Sequence, residues 1–220
     1  FGQPGLRSNR STHYSLGVER EITSQLEVSF EGFYKELDHL VTSNHGNLGS
    51  GRSYGLETLI RYKPDARFFG WLAYTLSRSE RRDTPDEPLR LFQYDQTHIL
   101  SLLGSYRLGR GWEVGLRFRL VSGSRFTRNQ YGFFDQNAAT NLALQSYPPF
   151  GERLPMFHQL DIRAEKTWQY SWGKFSAYLD VLNVYNQANV EGISYNYNFT
   201  QSTYGASLPI IPNFGLRGEL

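Results

Sequence analysis

Apolar and polar residues alternate one by one along most of this chain. Successive side chains of a strand point to opposite faces, so the pattern predicts strands with one oily and one wet side. In WEVGLRFRL, Trp112, Val114, Leu116, Phe118 and Leu120 share one face, and Glu113, Gly115, Arg117 and Arg119 share the other. Tyr14, Leu16 and Val18 alternate with Ser15, Gly17 and Glu19, then Leu26, Val28 and Phe30 with Glu27, Ser29 and Glu31. Tyr54, Leu56, Ile60 and Tyr62 oppose Gly55, Glu57 and Arg61, and Leu72, Tyr74 and Leu76 oppose Ala73, Thr75 and Ser77. The split recurs around Leu100, Leu160, Phe175 and Phe214. About nine strands are predicted in this way, each near the roughly 9 to 11 residues of a tilted membrane-spanning strand.

The connections carry a second signal. Short turns at Thr23–Gln25, Lys63–Arg67, Leu108–Gly111 and Gln169–Gly173 alternate with long polar or glycine-rich stretches at 45–52, 82–97, 128–156 and 187–209. Outer-membrane barrels pair short periplasmic turns with long extracellular loops. The alternation therefore predicts an all-β, antiparallel transmembrane β-barrel whose last strand runs down to a periplasmic C-terminus. Trp112, Trp168, Tyr170, Trp172, Phe68, Phe69 and Trp71 fall beside short turns and are expected to form an aromatic girdle at headgroup level. A soluble β-sandwich also alternates. Repeated Glu and Arg on the polar face suit a wet lumen better.

Composition narrows the picture further. Hydrophobic residues make up only 39% of the 220 residues while aromatics make up 15%, so much of the oily face is aromatic. The 23 basic and 21 acidic residues are scattered, and without a basic block no nucleic-acid partner is expected. Cysteine is absent, which excludes disulfide-stapled folds and thiolate metal sites. No apolar run approaches the roughly 18 residues of a membrane helix. The opening FGQPGLRSNR has neither an initiator Met nor an apolar leader core. Either a signal peptide has been removed or the chain is a fragment.

Several segments resemble the C-terminal half of TonB-dependent outer-membrane receptors. FGQPGL followed by HYSLGVE resembles that family's "FGNPxL…E…ELGxE" junction, and SYGLETLIRY its "GxE" strand. DQTHILSLLGSYRL followed by GWEVGLRFRLVSGSRFT matches its consecutive late strands. SAYLDVLNVYNQAN resembles the "lxvxNLfN" next-to-last strand, and IIPNFGLRGEL the closing strand, with Leu220 where such barrels commonly end in Phe. The resemblance implies a barrel of roughly 22 strands with a plugged lumen. Residues 1–220 would then be its C-terminal segment, with the plug domain absent. It also implies partners: outer-membrane lipid, the remaining barrel strands and plug, and TonB-type energy coupling through that absent plug. The expected function is the wall of a receptor for active uptake of a bulky scarce solute, with no enzymatic activity and no cofactor. The alternative is a complete small outer-membrane barrel, porin-like or otherwise, although an odd strand count argues against closure.

Candidate chemistry is sparse. His13, His39, His45, His98 and His158 lack HxH or HExxH spacing, although His39 and His45 could meet near one loop. Glu57, Arg61, Glu113, Arg117, Asp161, Arg163 and Glu165 read as a ladder of cross-strand ion pairs rather than a transport surface. In the long stretch from Arg128 to Pro155, Tyr131, Phe133, Phe134 and Asp135 are the candidate ligand-facing residues, because binding side chains concentrate on loops held by a rigid scaffold.

Overall fold

The computed structural model describes residues 5–42 and 46–219. Within them the chain is all-β. Nine long strands carry the architecture: β1 (Arg10–Glu21), β2 (Leu26–Thr42), β3 (Gly46–Tyr62), β4 (Phe68–Arg82), β6 (His98–Gly109), β7 (Trp112–Val121), β12 (Phe157–Tyr170), β13 (Gly173–Leu182) and β16 (Ile211–Glu219). Seven short ones decorate the long connections: β5 (Arg90–Leu91), β8 (Arg125–Phe126), β9 (Asn129–Asp135), β10 (Thr140–Gln145), β11 (Glu152–Arg153), β14 (Val190–Tyr195) and β15 (Ser202–Ala206).

The long strands pair antiparallel in chain order, β1-β2-β3-β4-β6-β7-β12-β13-β16, with β5 added to β4. Among the described residues β1 and β16 do not pair with each other, so the sheet is open at both edges. Register keeps every apolar face on the same side. Leu16 lies opposite Gly32, Gly32 opposite Leu56, and Leu56 opposite Leu76. Farther along, Leu102 faces Phe118, Phe118 faces Leu160, Leu116 faces Ile162, Ile162 faces Val181, and Leu179 faces Phe214. A slip of one residue at any pair would turn a whole strand's oily set into the wet face.

This face is not buried by protein. Leu16, Leu56, Phe214 and Leu216 are each more than half exposed, and among the described residues Leu40 and Leu154 are the buried large apolar side chains. Buried polar residues outnumber them: Glu27, Glu80, Asp95, Ser122, Asp161, Ser176, Asn183 and Asn189. The sheet is a soluble core turned inside out.

Turn chemistry explains the short connections. In the β3–β4 turn, Asp65 accepts from the backbone N–H groups of Arg67 and Phe68, both at 2.7 Å, and from the Tyr62 hydroxyl at 2.9 Å. Those donors hold its carboxyl below the usual carboxylate range. The β6–β7 turn places Gly109, Arg110 and Gly111 at φ 94°, 53° and 80°. A side chain at Gly111 would also collide with the Thr167 carbonyl.

The structure corrects three expectations. Residues 46–52 are not loop: β3 begins at Gly46 and pairs with both β2 and β4 there, extending a long hairpin. The rest of that stretch, His45, lies outside the described residues, as do the segment Phe1–Pro4 and Leu220. Second, Phe69 and Trp71 have odd positions on β4 and point to the polar face, opposite Ser105 and Arg61 respectively, so they cannot join the girdle. The apolar-face aromatics at the short-turn end include Tyr62 and Phe68, 5.2 Å apart, with Tyr106 and Trp112 farther along and Trp168 tilted against Phe175 at 5.7 Å. Third, the long connections are not all loop, since two of them carry strand pairs of their own, β8–β11 and β9–β10 between β7 and β12, and β14–β15 between β13 and β16.

Leu116→Arg places a charge in the middle of the oily face and is expected to cost about 2–4 kcal/mol of folding stability in lipid. Arg119→Leu, on the polar face and outside the ion pairs, is expected to cost less than about 1 kcal/mol. Arg117 is unsuitable as the mild control because it pairs with buried Asp161. Folding titrations in bilayers check the order, and a reversal would refute the face assignment.

Candidate functional site

The long connections gather at one end of the sheet and are fastened to it by a few buried polar side chains. Asp95, 1% exposed, is the hub of the first two. Its Oδ1 accepts from the Ser79 N–H of β4 at 2.8 Å. Its Oδ2 accepts from Arg153 Nη2 on β11 at 2.6 Å and from the Thr97 hydroxyl at 3.2 Å. Arg153 Nη1 donates to the carbonyls of Asp95 and Gly123. One carboxylate thus ties the 83–97 connection and the 122–156 connection to β4. Arg125 approaches the same carboxylate at 3.9 Å. Burial first, and then the neighbouring Arg153 charge, weaken its hold on its proton.

Three asparagines seat the 183–210 connection. Asn183 (φ 53°) and Asn186 (φ 51°) take the left-handed backbone that asparagine tolerates better than most residues. The Asn183 N–H donates to Asp161 at 3.0 Å, and its side-chain amide donates to the carbonyls of Gln187 and Leu208. Asn186 Oδ1 accepts from the Ile210 N–H at 2.9 Å. Asn189, 1% exposed, brackets His158 on β12: its Oδ1 accepts from the His158 N–H and its amide donates to the His158 carbonyl, both at 2.9 Å. Both buried asparagines are thereby hydrogen-bonded like strand backbone.

Of the predicted contact residues, β9 brings two together. Tyr131 lies opposite Leu144 and Phe133 opposite Leu142, so these four side chains form one apolar face of the β9–β10 hairpin, each at least 40% exposed. Phe134 belongs to the other face, opposite Asn141. On that side Gly132 lies against Asn198 and Phe199 at the tip of the β14–β15 hairpin, and the Asn129 N–H donates to the Tyr195 hydroxyl at 3.2 Å. Asp135 caps the hairpin turn by accepting from the N–H groups of Asn137 and Ala138.

The polar face carries the expected ladder. Arg117 bonds Asp161 through two nitrogens at 2.6 and 2.9 Å, Arg163 bonds Asp180 at 3.0 Å and Glu165 at 2.7 Å, and Arg61 reaches Glu27 at 3.3 Å. Glu113 pairs with Arg107 at 3.5 Å. Glu57 departs from the pattern: it lies directly opposite Glu31 and makes no ion pair among the described residues. Phe69, Arg117, Arg163 and Asp180 help line a concavity of about 390 Å³ on this face. The described histidines stay apart from one another. His98 bonds the Tyr74 hydroxyl at 2.8 Å and His158 bonds that of Tyr185 at 2.9 Å, while His13 packs edge-on to Phe33. Among the described residues no cluster could hold a metal ion.

The sequence that folds into this open, two-faced antiparallel sheet matches the model of the family described as TonB dependent receptor-like, beta-barrel, over residues 1–186. The chain belongs to that family. Its members are outer-membrane transport receptors and not enzymes, and they carry a plug and interact with TonB. Solved structures agree on the fold. The ferric-catecholate import receptor Fiu from K12 E. coli, in a closed form, superposes with a TM-score of 0.66 at 15% identity over 97% of this chain and 28% of its own. The ferripyoverdine receptor of the outer membrane of Pseudomonas aeruginosa, bound to ferripyoverdine, gives 0.64 at 16% identity over 96% of this chain and 27% of its own. The receptor of the FpvAI–pyocin S2 complex also gives 0.64 at 16% identity, over 96% and 26%. The chain thus spans little more than a quarter of these receptors. No curated protein matches it in sequence.

Asp95, Arg153 and Asn189 escaped the sequence reading. Asn183 and Asn186 lay inside the quoted next-to-last-strand motif, where two asparagines beside a strand end already suggest left-handed backbone. Nothing in sequence couples Asp95 to Arg153, 58 positions apart. Arg153→Ala leaves the Asp95 carboxylate buried without its main partner, at an expected cost of about 3–5 kcal/mol. Limited proteolysis should then cut within 122–156 while the long strands stay protected. Asp95→Asn, which retains an acceptor for the Ser79 N–H, should expose the loop less.

Proposed function

We propose that this chain is the C-terminal segment of the barrel wall of a TonB-dependent receptor that takes up a bulky, scarce solute of the ferric-siderophore class. The observation that carries this is an oily face continuous across nine strands of a sheet whose two edges are open. In hydrocarbon, unpaired strand edges cost several kcal/mol per backbone group, so further strands must complete the wall. The import of ferric catecholates named for one similar receptor and the bound ferripyoverdine named for another support the solute class. Energy coupling would come through a plug outside this chain.

The looped end is read as extracellular and the C-terminus as periplasmic, because three of the four connections at the looped end are long whereas all four at the other end are short. Cysteines at Asn137, in the β9–β10 turn, and at Ser171, in the β12–β13 turn, test this in the complete receptor. An impermeant thiol reagent on whole cells should label only Asn137→Cys, and equal labelling would refute the orientation.

Tyr131 and Phe133 are the proposed ligand contacts, since they share an exposed aromatic face with Leu142 and Leu144 on a hairpin braced from behind. Phe134 lies on the hairpin's other face, and Asp135 caps its turn. Tyr131→Ala/Phe133→Ala is expected to weaken solute binding about tenfold or more, with barrel stability unchanged. Binding titrations with iron-loaded siderophores check this, and undiminished affinity would remove the hairpin from the site.

A further inference from the structure

The oily face carries a charged end that the transport reading does not use. Register places Arg78 of β4 on that face directly opposite Tyr54, and Arg52 of β3 opposite Glu80 of β4 one step nearer the looped end. Tyr14, Tyr34 and Tyr54 lie side by side there, with Tyr34 and Tyr54 stacked at 6.3 Å. Such an aromatic row marks the boundary between hydrocarbon and headgroups. The guanidinium groups of Arg78, level with that row, and Arg52, just past it, are therefore at headgroup depth.

Their geometry is that of a held pair. Glu80, only 7% exposed in its side chain, accepts from Arg52 Nε at 2.7 Å through one oxygen and from Arg78 Nε at 2.8 Å through the other. Arg52 and Arg78 are 42% and 53% exposed. Both spend Nε on Glu80, so their terminal nitrogens remain available to a second acceptor. Arg82 on the same face adds a third guanidinium, and Glu36, opposite Arg52, a second carboxylate, leaving one net positive charge.

Directly below, the oily face is hollowed. Gly32 floors a groove of about 750 Å³ walled by Leu16, Tyr34, Leu56 and Leu76, with Arg78 at one end. An acyl chain fits its lining, and a phosphate at the chain's head would meet the Arg pair. We infer that this groove and the Arg52–Glu80–Arg78 clamp form a site for a phosphorylated glycolipid of the lipid A class. The choice of that lipid over a phospholipid rests on the proposed orientation, which puts the clamp in the outer leaflet. Paired, fixed guanidinium forks suit a phosphate better than a lone point charge would.

Native mass spectrometry of the complete receptor in detergent tests the site itself, whichever way the protein faces. The probes are bis-phosphorylated lipid A, its dephosphorylated form and phosphatidylglycerol. The triple variant Arg52→Gln/Arg78→Gln/Glu80→Gln removes the clamp without stranding a buried carboxylate, and Gly32→Leu fills the groove without touching any charge. Wild type should retain lipid A about tenfold better than the triple variant does, and removal of the phosphates should abolish that difference. Gly32→Leu should weaken retention of both forms of lipid A. Equal retention by wild type and the triple variant, or indifference to the phosphates, would overturn the site. Phosphatidylglycerol held as tightly as lipid A would overturn the choice of lipid. Failure of the cysteine labelling would refute the orientation alone.

Discussion

Backbone N–H and C=O groups inside a bilayer have no water to bond, and every other feature of this chain follows from that constraint. A sheet satisfies it only if each strand is paired on both sides through the hydrocarbon. The strands therefore run long, pair with their sequence neighbours and turn tightly at one end. Long-range order is replaced by a repeated local rule, hairpin after hairpin, and the two strands without a second neighbour, β1 and β16, mark where the rule calls for more wall. Because lipid already supplies an apolar environment, the oily residues need no protein partner and stay exposed. The few fully buried side chains are polar: Asp95, Asn183 and Asn189.

Those three side chains do at the looped end what a hydrophobic core does elsewhere. The connections leave the sheet where hydrogen bonding between long strands stops, and their backbone groups need new partners. Asp95 supplies acceptors to β4 and Arg153, Asn189 substitutes for a strand neighbour along His158, and Asn183 links Asp161 of the polar ladder to the start of the last long connection. The same carboxylate that pairs with Arg117 on the inner wall thus helps place the 183–210 segment. Inner wall and loops are mechanically one structure. On the proposed function, such a rigid seat would hold the solute-contacting loops in place.

The oily face is not uniform. Near the looped end it passes from Leu and Val through a row of tyrosines to a carboxylate clamping two arginines, the sequence of environments that a lipid molecule itself presents from tail to headgroup. The polar face shows a different logic. Most of its arginines bridge strands, yet Glu31 and Glu57 face each other with no cation between them. This leaves a locally negative stretch of inner wall for which the sheet alone gives no structural purpose.

The sequence by itself determined the strands, their faces and their connectivity. Period-2 alternation is a local property, and in a meander each strand's neighbours are its neighbours in sequence, so pattern and turn length suffice to read the nine long strands. Leu116 and Arg117 could be assigned to opposite faces from WEVGLRFRL alone. Phe69 and Trp71 lie beside a turn, yet the same alternation puts them on the polar face, away from the girdle. What the tertiary structure decided is everything beyond the regular ladder: that 46–52 continues a strand, that Tyr131 and Phe133 share a face while Phe134 does not, that Asp135 caps a turn, and that Asp95 meets Arg153. These depend on contacts between segments far apart in sequence, where no period constrains which polar group finds which. A loop residue's partner is chosen by the fold that carries it there.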